Sequence, residues 1–173
     1  MLKKMAFVLV GLAFSAAALA NPTFYGLTLG ETTEAELQNQ YTAQRAGVNA
    51  VTNGNMYKLD PDEIDLVGLN KHVLTVFMQD GRLGAILVTL KKDRFGDLKE
   101  ILDGKYEVLY ENVPRVGNKV IVYGVGESSI SLKAPHLSFE VELDYVLGEM
   151  KDMIIKQRKA REQKQRQQES SQL

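Results

Sequence analysis

Apolar and polar residues alternate most cleanly over residues 136–146. Leu137, Phe139, Val141, Leu143 and Tyr145 take one side, and Ser138, Glu140, Glu142 and Asp144 take the other. A period of two marks a half-buried antiparallel strand, here with an acidic outer face. Residues 72–79 and 82–90 flank Asp80-Gly81, a strong two-residue turn signal, and read as a hairpin. Here both faces are apolar. Val73, Thr75 and Phe77 alternate with Leu74, Val76 and Met78, and Ile86, Val88 and Leu90 alternate with Leu83, Ala85 and Leu87. Both sides of this hairpin must therefore be covered.

Helical spacing appears in three places. Thr33-x-x-Glu36 has the form of a capping box and opens a helix to about residue 41. Asp93 is placed to cap a second helix, with Phe95, Leu98, Ile101 and Leu102 as its apolar stripe and Gly104 at its end. Residues 148–165 read as a third. Its apolar residues, Met150, Met153, Ile154 and Ile155, stop before Lys156, so the remainder is expected to fray. Residues 23–29, 48–51, 56–59, 64–67, 106–110, 119–123 and 129–133 read as further strands, with a turn at Asn53-Gly54 and an acidic loop at 60–63.

The two halves of this pattern match. Thr28-Leu29 and Leu37 match Thr89-Leu90 and Leu98 at one offset, and Gly54-Asn55 matches Gly117-Asn118 at a slightly larger one. Tyr57, Leu59, Ile64 and Leu66 correspond to Tyr123, Val125, Ile130 and Leu132, and His72 and Asp80 to His136 and Asp144. The expected organisation is a leader at 1–20, one unit at 21–81, a similar unit at 82–146, and a helix with a polar tail at 147–173.

The leader follows from Lys3 and Lys4, the uncharged stretch 5–20, and the small-x-small ending Ala18-Leu19-Ala20. Cleavage would leave a periplasmic or secreted protein with no transmembrane segment. The chain has no cysteine, so in an oxidising compartment it must hold together by its core alone. Charge is unevenly spread. Residues 21–148 carry 12 Lys/Arg against 18 Asp/Glu, a net of −6, and residues 149–173 carry 7 against 4, a net of +3. An acidic body argues against nucleic acid as a partner.

Gly26-Leu27-Thr28-Leu29-Gly30, followed by Thr33 to Leu37, resembles the opening of small secreted α+β modules. These include the β-lactamase inhibitory proteins and the SmpA/OmlA small lipoproteins of the barrel-assembly machinery. The inhibitor family is also similar in being a tandem repeat with helices against one sheet. The chain departs from both: it has neither the inhibitor's disulfides nor the lipoproteins' acylated cysteine. The resemblance implies a fold and a broad binding role, and it carries no binding residue across.

No sequence motif for catalysis is present. There is no cysteine nucleophile, no Gly-x-Ser-x-Gly elbow and no phosphate-cradling glycine loop. Gly124-Val125-Gly126 reads as a hairpin turn. His72 and His136 are too few for a zinc site and read as strand starts. Asp60, Asp62, Glu63 and Asp65 lack the pattern of a calcium loop and read as solvated. A dyad of Ser128 or Ser129 with His136 has no support beyond the residue types.

The sequence thus predicts an α+β protein of two similar strand–helix–multistrand units. They form a largely antiparallel sheet with helices on one face, plus a C-terminal helix. The expected function is non-catalytic binding of another envelope protein or of a second copy, with no catalytic residue, cofactor or metal. The candidate interface is Leu74, Val76, Met78, Ile86, Val88, Glu140, Glu142 and Asp144, with Met150, Met153, Ile154 and Ile155 as the chain's own cover for its apolar part. The alternatives are a small-molecule or lipid carrier whose cavity the hairpin lines, and an envelope hydrolase.

Overall fold

The computed structural model describes residues 20–172, so the expected leader, all but Ala20, lies outside the described residues. The chain is α+β. A two-residue hairpin, β1 (Thr23–Phe24) with β2 (Leu27–Thr28), precedes α1 (Glu34–Gln40). Four strands follow: β3 (Ala43–Val48), β4 (Asn53–Leu59), β5 (Val73–Met78) and β6 (Leu83–Lys91). Then come α2 (Phe95–Asp103), β7 (Glu107–Asn112), β8 (Lys119–Val125), β9 (Ser128–Ala134), β10 (Glu140–Val146) and α3 (Gly148–Ser170). β3 to β10 form one antiparallel sheet in the order β3-β4-β5-β6-β10-β9-β8-β7. The sheet is thus two four-strand meanders, each entered through a helix, joined by their last strands β6 and β10.

The pairing defines the two faces. Across the centre, Ile86, Val88 and Leu90 of β6 stand opposite Tyr145, Leu143 and Val141 of β10. The same face continues through Ile130 and Leu132 to Tyr123 and Ile121 on one side. On the other it continues through Thr75 to Tyr57. All of these are buried. α1 and α2 cover this core face. Leu37 of α1 and Phe95, Leu98 and Leu102 of α2 are buried. Two phenols tie the helices to the sheet: Tyr57 donates to Glu34 Oε2 at 2.6 Å and Tyr123 to Asp103 Oδ1 at 2.9 Å. Each bond satisfies a tyrosine hydroxyl that the core would otherwise strand.

α3 lies on the opposite face, over one end of the sheet. Gly84 makes room for it: a Cβ there would fall 2.9 Å from Met78 Sδ and 3.2 Å from Met150 Sδ. Met150 is buried and Met153 packs against the core, whereas Ile154 is largely exposed. Further along, Gln157 Nε2 donates to the Ala50 carbonyl in the β3–β4 turn at 3.4 Å. Beyond it the helix runs on to Ser170 with every residue exposed. The polar tail is therefore helical past the point where the apolar residues end, supported by backbone bonding and the ion pairs of Glu162 with Arg158 and Arg166.

Local chemistry explains where the elements depart from the pattern. The Thr33–Glu36 capping box is present, with Glu36 Oε2 accepting from Thr33 N–H at 2.8 Å. Asp93 caps nothing; it sits inside a 3-10 turn, Lys92–Arg94, that leads into α2. The β3–β4 turn falls at 50–52, not at Asn53-Gly54. Asn49 Oδ1 accepts from Val51 and Thr52 N–H, which makes the turn. Gly54 instead serves close packing, since a Cβ there would lie 2.0 Å from the Phe77 carbonyl oxygen. Residues 64–67 are not a strand, although Ile64 is buried, and in the acidic loop Glu63 accepts from Thr42 N–H and Oγ1.

Two mutations test this packing. Val76 is 1% exposed, so Val76→Asp is expected to abolish the cooperative thermal transition, because an unpaired buried charge costs several kcal/mol. Gly54→Ala should lower stability by about 1–3 kcal/mol in urea denaturation, since the obstructing atom is backbone.

Candidate functional site

The residues expected to form one interface are divided between the two faces. Leu74 pairs with Leu87 and Val76 with Ala85, whereas Ile86 pairs with Thr75. Leu74, Val76 and Met78 therefore lie on the α3 face, and Ile86 and Val88 belong to the core beneath α1 and α2. A bulge shifts the register between Val76 and Phe77, where Gly84 is the extra residue. Val76, Met78, Ile86 and Val88 are all buried, and only Leu74 is partly open. The hairpin is core on one side; on the other α3 packs over its Met78–Gly84 end, and Leu74 and Leu87 stay partly open.

The acidic residues do line the α3 face, and all three are ion-paired. Lys133 bonds Asp144 and reaches Glu142 at 4.0 Å, and Lys71 bonds Glu140 at 2.8 Å. Charges already matched at a surface attract a partner weakly.

A different site stands at the end of the sheet away from α3. The register places the β4–β5 loop, the β6–α2 connection, the β7–β8 loop and the β9–β10 turn together there. Its tip is the turn 135–139. The sequence pattern put Leu137 and Phe139 in line with the inward residues of β10, but β10 begins only at Glu140. Leu137 is 84% exposed and Phe139 90% exposed, and Leu137 has a left-handed backbone (φ 63°). Pro135 supplies the break, since it ends β9 and cannot continue the ladder. Val67, Val113 and Val116, in the neighbouring loops, are exposed too.

The tip is held by a dense set of hydrogen bonds. Lys92 Nζ donates to the Pro135 carbonyl at 3.0 Å and to the Ser138 carbonyl at 2.8 Å. Lys92 N–H donates to the Phe139 carbonyl at 3.0 Å, and Ser138 N–H to the Pro135 carbonyl at 3.3 Å. His136 N–H donates to Asn118 Oδ1 at 2.6 Å, linking the turn to the β7–β8 loop, and Ser138 Oγ accepts from Glu140 N–H at 3.0 Å. Two large apolar side chains are thus presented to solvent on a braced backbone, beside the exposed valines of the neighbouring loops.

The candidates for chemistry do not converge. His136 belongs to this turn and does not start a strand. Ser128 and Ser129 open β9 at the opposite end, so the length of the strand, about 20 Å, separates them from His136. His72 Nδ1 lies 3.3 Å from the Leu59 carbonyl. Among the described residues no three His, Cys, Asp or Glu side chains gather as a metal set. No helix of the described chain is long and apolar enough to cross a membrane. The chain matches no protein-family model, no curated protein and no solved structure.

Lys92→Met removes the ammonium that bridges two carbonyls of the turn. Amide exchange at His136 and Ser138 should accelerate about thirty-fold, the equivalent of about 2 kcal/mol of local opening. Exchange in the centre of β6 and β10 should be unchanged.

Proposed function

We propose that the chain is an exported, non-catalytic protein-binding module that works at the envelope, and that it engages its partner through the loop end capped by Leu137 and Phe139. The observation that carries this reading is the exposure of those two side chains on a braced turn. Interface energy concentrates in a few aromatic and aliphatic anchors, and an anchor held rigid before binding loses little entropy on docking. Placement on loops carried by a rigid sheet is also the usual location of binding residues.

Two further features support the reading. The order helix then four-strand meander occurs twice, which we read as a duplicated unit; the division expected at 81/82 falls inside the β5–β6 hairpin, so we end the first copy at Lys91, and the two copies meet at β6 and β10. One antiparallel sheet with α1 and α2 against one face also agrees with the resemblance to secreted inhibitor-like and assembly-factor modules. That resemblance is an analogy of architecture and names no partner. The export signal at 1–20 would place the partner in the periplasm or outside the cell.

The test replaces both anchors. Leu137→Ser/Phe139→Ser should keep the melting temperature of the parent, because neither side chain is buried. Pull-down from an envelope fraction should recover a stoichiometric partner with the parent and lose it with the double variant. If the partner is a second copy, the variant should shift from dimer to monomer in sedimentation. Undiminished capture and self-association by the folded double variant would refute the assignment of this surface.

A further inference from the structure

The core face carries an opening that the binding reading does not use. Between the β1–β2 hairpin, α2 and β10 lies a cleft of about 290 Å³, lined by Phe24, Leu98, Ile101, Tyr106, Tyr145 and Lys105 among others. This is near the lower limit for small-molecule sites, whose pattern of apolar walls with a few polar groups it shares. Its floor is Tyr145, which is 7% exposed and packs its ring 5.5 Å from that of Phe24.

The hydroxyl of Tyr145 is the unusual group. Those of Tyr57 and Tyr123 donate to carboxylates, and those of Tyr25 and Tyr41 donate to the Asp65 and Tyr25 carbonyls at 2.6 Å each. Of the phenols facing the cleft, Tyr106 and Tyr145 have no such partner among the described residues, and Tyr145 is the more deeply buried. Burial, and then the neighbouring phenols of Tyr106 and Tyr25, raise its pKa well above the ordinary phenol value. Its hydroxyl is not among the buried atoms left without a partner, so it is open to the cleft and free to donate to a ligand there.

The charges around the cleft indicate what the acceptor should be. Lys105, in the turn after α2, lines it and makes no ion pair among the described residues, whereas the nearby Lys99 is engaged with Asp103 and Glu111. At the Tyr25 side burial, and then the Asp65 carboxylate, raise the pKa of that phenol, and the same carboxylate would repel an anion. We propose that the cleft binds a small carboxylate with an apolar body of about one aromatic ring. Its ring lies among Phe24, Leu98 and Ile101, and its carboxylate accepts from the Tyr145 hydroxyl and faces Lys105.

The probe is phenylacetate, followed by two-dimensional NMR of the purified protein. Saturable shifts should centre on Ile101, Tyr106 and Tyr145, and the neutral analogue phenylacetamide should bind about tenfold more weakly. Tyr145→Phe should keep or slightly raise the melting temperature, since it removes an unpaired hydroxyl, and should weaken phenylacetate about tenfold. Ile101→Trp, at a half-exposed position on the rim, should fill the cleft and abolish the shifts. Absence of saturable shifts, equal binding of acid and amide, unchanged affinity in Tyr145→Phe, or a clear loss of stability in that variant would each overturn the proposal. The last would mean that the hydroxyl already has a partner within the protein.

Discussion

Everything in this molecule hangs on the pairing of β6 with β10. Seven residues of each strand face one another, from Glu140 opposite Lys91 to Val146 opposite Ala85. It is the only place where the two meanders share sheet hydrogen bonds among the described strands. Its core side is entirely apolar: Leu90 with Val141, Val88 with Leu143, and Ile86 with Tyr145. Side chains of this size contribute about 1.5–3 kcal/mol each when buried, so the seam holds the two meanders together by its core side. Its position also sets the sites. Lys91 and Lys92 leave β6 beside the start of β10, so Lys92 can brace the turn at 135–139, and Tyr145 near the other end becomes the floor of the cleft.

The helices contribute by covering one face and leaving the other. On the core face, α1 and α2 are fixed by apolar contacts and by the bonds Tyr57–Glu34 and Tyr123–Asp103. On the opposite face α3 sets Met150 beside Met78 over Gly84, with Met153 packed against the core, and its residues beyond Gln157 are exposed. The uncovered remainder is a row from Val122 through Ser131, Asp144 and Leu87 to Leu74, half-exposed and with its acid already paired. The four most exposed large apolar side chains, Phe139, Leu137, Val116 and Val67, instead lie in the loops at one end, which is why the proposed interface lies there; Val108, Leu109 and Tyr110 of the edge strand β7 are exposed to a lesser degree.

Much of the fold was legible because periodicity reports burial directly. The hairpin around Asp80-Gly81, the capping box at Thr33 and the alternation of Val141, Leu143 and Tyr145 all have local causes, and each is found in place. The surface proposed as the interface was not legible, for two reasons. Alternation cannot show where a strand ends, so Leu137 and Phe139, in phase with the core of β10, read as core; Pro135 was the available warning. Nor can periodicity detect a bulge or assign faces across strands, so Ile86 and Val88 were grouped with Leu74 and Val76, from which the register separates them. The tyrosine cleft depends on contacts between residues more than a hundred positions apart, such as Phe24 with Tyr145, and no local pattern encodes these.

The proposed interface is tested most directly by site-specific photocrosslinking in the native envelope. A photoreactive phenylalanine analogue at Phe139 samples the exposed turn, and the same analogue at Gln79, exposed at the opposite end of the sheet, is the control. The account predicts one discrete crosslinked species from position 139 and none from position 79. No product from position 139, or the same product from both positions, would contradict it.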